Sequence, residues 1–116
     1  MPKFMFILYD NPGDFSDLSP DQMQKVIEEY GAWAKEMGRK GLLAGGHKLK
    51  HEGGKVIRRD GKNTRIIDGP YSESKEVLAG IFIIEARNYA QAAEVAETCP
   101  HLKYGAKIDL REIDAV

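Results

Sequence analysis

A chain of 116 residues, 42% hydrophobic and 30% charged, is long enough to bury a core of its own and short enough for one domain spanning residues 1–116. Its 17 basic and 18 acidic residues leave a net charge of −1, which excludes a broad positive field for direct nucleic-acid binding. No apolar run approaches the ~20 residues of a membrane span, and one cysteine cannot staple the fold, so the expected compartment is a reducing cytoplasm.

Lys3 to Tyr9 is apolar and aromatic without a break, the pattern of a strand buried on both faces. Asn11-Pro12-Gly13-Asp14 is turn chemistry within a loop from Asp10 to Leu18. A helix start follows, with Ser19 as N-cap, Pro20 in the first position and Gln22 closing a capping box. Met23, Val26, Ile27, Tyr30, Ala34 and Met37 make one helical stripe, and Gly38 and Gly41 mark its end. Trp33 falls off that stripe, which places it under the Asp10–Leu18 loop or at a subunit edge.

Leu42 to Lys50 reads as the second strand. Simple alternation puts Leu43, Gly45, His47 and Leu49 on one face and Lys48 and Lys50 on the other. A hairpin is predicted over Lys55–Asp60 and Thr64–Asp68, turning at Asp60-Gly61-Lys62-Asn63. It belongs to a basic stretch (Lys48, Lys50, Lys55, Arg58, Arg59, Lys62, Arg65) that reads either as a solvated strand face or as an anion patch. Leu78 to Ala86 is apolar enough for a central strand. Asn88 caps a second helix whose Ala92, Ala93, Ala96 and Cys99 give it a thin side, and Pro100 stops it. Ala106, Ile108 and Leu110 alternate with charged residues in a last, half-buried strand.

The order β, α, β, hairpin, β, α, β predicts an α+β fold. It is a ferredoxin-like βαββαβ unit with an inserted β-hairpin, both helices on one face of an antiparallel sheet. The first and central strands carry too much apolar surface to leave the other face wet. A second copy packed sheet to sheet would cover it, giving a homodimer of the dimeric α+β barrel type.

His47 is the leading candidate for chemistry. Imidazole works as acid or base near neutrality, and Gly45 and Gly46 leave room beside it for a small molecule. Asp68 either orients His47 from a neighbouring strand or accepts the backbone N–H groups of its own Gly69–Tyr71 turn. Tyr71 offers a phenol to a pocket mouth or simply packs its ring. Glu73, Lys75 and Glu76 form an ion-paired loop or clamp an anionic ligand. Arg58 and Arg65 face each other as a carboxylate clamp or as ordinary surface charge. Cys99 reads as a small buried residue, not a nucleophile. No phosphate loop, dinucleotide fingerprint or metal-ligand spacing occurs, so neither cofactor nor metal is expected.

Asp68-Gly69-Pro70-Tyr71 with Lys75-Glu76 resembles the signature loop of the YCII-related (DGPF) family, with Tyr71 in the Phe place. Lys3–Tyr9, Leu18–Met23, Gly41–Gly46, Cys99-Pro100 and Tyr104-Gly105 resemble the family's first strand, helix entry, second strand and last corner. The resemblance implies a ferredoxin-like dimeric subunit, and a sigma factor of the extracytoplasmic-function type as a partner of some relatives. It also implies, from the smaller YciI branch, a histidine–aspartate pair with its histidine on the first helix. That helix has no histidine here, so the pair is not carried over. Two functions remain open. One is a cofactor-independent enzyme of lyase or isomerase type acting on a small molecule. The other is a non-catalytic ligand-binding or regulatory module.

Overall fold

The computed structural model describes residues 1–69 and 76–116. Its elements are β1 (Lys3–Asp10), α1 (Pro20–Arg39), β2 (Leu43–Lys48), β3 (Lys55–Asp60), β4 (Asn63–Asp68), β5 (Val77–Glu85), α2 (Tyr89–Glu97), α3 (His101–Tyr104) and β6 (Lys107–Glu112). Four strands form an antiparallel sheet in the order β2-β5-β1-β6, and β3 and β4 pair as a separate two-stranded sheet. With that hairpin set aside, the strand order is that of the ferredoxin-like unit the pattern predicted.

Alternation along β1 sorts its side chains. Phe4, Phe6 and Leu8 are buried, while Met5 and Ile7 on the other face are half-buried. Phe6 stands opposite Phe82 of β5 and Leu110 of β6, so three strands present one apolar floor. Above it lie Trp33 and Met37 of α1, Val95 of α2 and Cys99, in one cluster with Phe6, Leu8 and Ile84. Each fully buried side chain of this size contributes roughly 1.5–3 kcal/mol against exposure.

The capping box expected for α1 is complete. Ser19 Oγ accepts from the Gln22 N–H at 3.1 Å, and Gln22 Oε1 accepts from the Ser19 N–H at 2.8 Å. Trp33 corrects the sequence reading: it is 7% exposed, within the core and not under the Asp10–Leu18 loop. Its indole meets Phe82 edge to face, and its Nε1–H donates to Thr98 Oγ1 at 2.8 Å, tying α1 to the end of α2. The buried side of α1 runs through Val26, Trp33 and Met37, so Met23 and Ile27 of the predicted stripe leave the core and face a cleft.

Two bulges break the strand period. Between β2 and β5, Leu43 pairs with Ile84 but Gly45 with Ile83, so Ala44 is an extra residue. Leu43 therefore joins the core, while His47, opposite Ile81, shares the face turned away from the helices. The expected common face of Leu43 and His47 does not exist. Between β1 and β5, Ala79 is the extra residue, and the ladder is displaced just where β1 delivers Tyr9 and Asp10.

Pro100 ends α2 as expected and then opens α3, a single turn that alternation did not announce. Thr98 caps α2, and its hydroxyl donates to the Val95 carbonyl at 2.6 Å. Glu29 of α1 accepts at its Oε1 from the Tyr104 hydroxyl at 2.7 Å and from Lys103 Nζ at 3.2 Å, which moors α3 on the first helix.

Candidate functional site

An open cleft of about 1220 Å³ lies between the N-terminal half of α1, the 10–16 loop, the near end of the sheet and the connection from β2 to β3. Its walls are Met23, Val26 and Ile27 of α1, Phe15, Leu49 and Leu78. Gly46 and Gly80 line its sheet side, but they open no room beside His47: the Phe82 ring fills the side-chain space at Gly46, and the His47–Lys48 backbone fills it at Gly80. The volume exceeds the ~300–1,000 Å³ usual for small-molecule sites.

At the inner end of the cleft sit Asp10, Tyr30 and His101, from the end of β1, the middle of α1 and the start of α3. His101 is 2% exposed, and both ring nitrogens are engaged. Nε2 lies 2.7 Å from the Tyr9 carbonyl oxygen, which can only accept, so Nε2 carries a proton. Nδ1 lies 2.8 Å from the Tyr30 hydroxyl, which donates to it whenever the ring is neutral. Burial raises the Tyr30 phenol well above its ordinary value, so that hydroxyl keeps its proton. Gly105 backs the ring so closely that a methyl group there would overlap Cε1 and Nε2 of the imidazole.

Asp10 completes the group. Its side chain is 13% exposed, and Oδ1 lies 3.7 Å from His101 Nε2. That oxygen is buried and has no hydrogen-bond partner among the described residues. Desolvation raises the Asp10 carboxyl above its ordinary 3.8, Asp14 adds to the rise, and His101, His51 and Lys48 act against it. A carboxylate with an unused oxygen beside an imidazole can bind a hydrogen-bond donor or exchange a proton with a bound molecule.

His47 lines the rim of the same cleft but is exposed, on the far side of the sheet edge. Asp68 does not join it. Its carboxylate pairs with Lys55 across the hairpin, and Asp68 is not among the residues that line the cleft. The Gly69 N–H goes to the Gly54 carbonyl at 3.1 Å, not to Asp68. Arg58 and Arg65 stand directly opposite each other in the β3–β4 register. Tyr71, Glu73 and Lys75 lie outside the described residues, and Glu76 pairs with Lys107 at 3.6 Å. Burial pushes the Cys99 thiol up to about 11, which leaves no thiolate nucleophile at neutral pH. Among the described residues no three His, Cys, Asp or Glu side chains gather as a metal site. No helix among them is long and apolar enough to cross a membrane.

Sequence reasoning missed Asp10, Tyr30 and His101. The sequence pattern puts Tyr30 on the apolar stripe of the first helix and Asp10 at the start of a loop, and gives His101 no role. The available signal was a histidine directly after Cys99-Pro100, where a helix must restart, but its partners lie 71 and 92 positions away.

The fold and the cleft together define a ferredoxin-like α+β domain with an inner polar centre. The model of the YCII-related domain matches residues 2–113, and the chain belongs to that family. No curated protein matches it.

Proposed function

We propose that this protein binds a small molecule in the cleft and moves a proton on it without a cofactor, in a lyase- or isomerase-type reaction. The observation that carries this is the Asp10 carboxylate, with one oxygen unused, beside an imidazole locked between Tyr30 and the Tyr9 carbonyl. Asp10 takes a proton from the ligand and returns it either to a neighbouring atom of the same molecule (isomerisation) or to the group that departs as the adjacent bond breaks (elimination), so no co-reactant is needed. His101 and Tyr30 hold the carboxylate's surroundings in one hydrogen-bonded state, and His47 borders the entrance.

In a metabolite panel, compounds that raise the Tm of the wild type should lose that effect in Asp10→Asn and Tyr30→Phe. Equal shifts in all three proteins would overturn this function. The second reading is a binding module without catalysis, favoured by the fact that both His101 nitrogens are already satisfied within the chain. Deuterium uptake from solvent into a bound ligand, abolished by Asp10→Asn, separates the two.

A further inference from the structure

The inner end of the cleft has a one-sided hydrogen-bond inventory. With the imidazole neutral, the Nε2–H of His101 is spent on Tyr9 and the Tyr30 hydroxyl proton on Nδ1. The Tyr9 carbonyl also receives the Ala106 N–H at 2.8 Å. What remains is the Asp10 carboxylate, whose buried Oδ1 has no hydrogen-bond partner among the described residues, and the lone pairs of Tyr30 Oη, and both are acceptors. Among the described residues at this end, a ligand carboxylate, ketone or ether oxygen would meet no unspent donor and would face the negative charge of Asp10. A group bearing N–H donors completes the set.

Charge points the same way. Asp10 is held out of water, and the Asp14 carboxylate adds like charge to it, so a cationic group would offset a cost the fold already bears. Lys48 and His51 partly compensate, but they belong to the exposed rim and are turned toward each other at 3.4 Å. The walls set the rest of the ligand. Ile27, Leu49 and Leu78 are 51%, 49% and 42% exposed, come from three different segments, and all face this cleft. Large aliphatic side chains left open together mark a binding surface for an apolar body.

We infer that the ligand is an organic ammonium: an apolar body along Ile27, Leu49 and Leu78, ending in a protonated nitrogen seated against Asp10 and Tyr30. The inference rests on the cleft being a small-molecule site, as proposed above, and adds the chemical class of its occupant.

The test compares three probes of one chain length, hexylammonium, hexanol and hexanoate, titrated at pH 7.5 while the backbone amides of Tyr30, Gly46 and Gly80 are followed by NMR. Hexylammonium should bind at least tenfold more tightly than either of the others. Asp10→Asn should bring it down to the level of hexanol, and Ile27→Ser should weaken all three alike. If hexanol or hexanoate equals or exceeds the ammonium, or if Asp10→Asn leaves the order unchanged, the ammonium assignment is overturned while the cleft stands as a site. If none of the probes shifts the cleft amides up to its solubility limit, both the assignment and the small-molecule site fall.

Discussion

Asp10 shows how a site residue works against the stability of its own fold. Its carboxylate is mostly removed from water, and its Oδ1 receives no hydrogen bond from the described residues in return. Desolvation raises its folded value above 3.8, so folding favours the protonated form. The cost is absent below about pH 3.8, grows as pH rises through the folded value, and is complete above it. Asp10→Asn should therefore stabilise the protein at pH 7 by on the order of 1 kcal/mol, or ~4 °C in Tm. That gain should shrink toward zero as a series of melts approaches pH 3.8, and a variant less stable at pH 7 would contradict it. Gly105 has the opposite sign. Its missing side chain is the space the imidazole occupies. Gly105→Ala should cost about 2 kcal/mol by overpacking and should displace the His101 ring resonances, which chemical denaturation and NMR would read together.

Among the elements, the helices were legible because their signals are local. Ser19, Pro20 and Gln22 are neighbours in sequence, and their capping box forms as spelled out. Ser19→Ala should cost ~1 kcal/mol, seen as a lower urea midpoint with an unchanged slope. Strand faces were less legible. One extra residue, Ala44, reverses the side on which His47 emerges, and no alternation rule announces where a ladder admits a bulge. The rotation of α1 was misjudged for a related reason. Trp33 is drawn inward by Phe82 on a distant strand and by Thr98 on another helix, whereas the chosen stripe weighed only neighbours along the helix.

At the scale of the molecule, helices cover one face of the sheet only. On the other face Met5 opposes Ile83 and Ile7 opposes Ile81, four half-buried apolar side chains at the centre of the sheet. The radius of gyration is 16.1 Å, against about 13 Å for a compact chain of this length, and the molecule is a slab 47 × 43 × 18 Å. A thin slab with an apolar back gains most by doubling its thickness. We therefore expect the homodimer that the strand pattern suggested, joined across this face. Sedimentation at micromolar concentration should give twice the 13.0 kDa chain mass, and Ile7→Lys should return it to 13.0 kDa with an unchanged circular dichroism spectrum. A wild-type mass of 13.0 kDa would remove the dimer.

The amino-acid order alone determined the α+β architecture, the inserted hairpin, the helix caps and the family, because each of these is written in short-range periodicity or in contiguous motifs. Only the tertiary structure decided where chemistry can occur. Asp10, Tyr30 and His101 are ordinary residues in their own neighbourhoods, and none carries a local mark of function. They come together because β1, α1 and α3 converge at one end of the sheet, where burial strips water from a carboxylate and leaves it an imidazole as its neighbour.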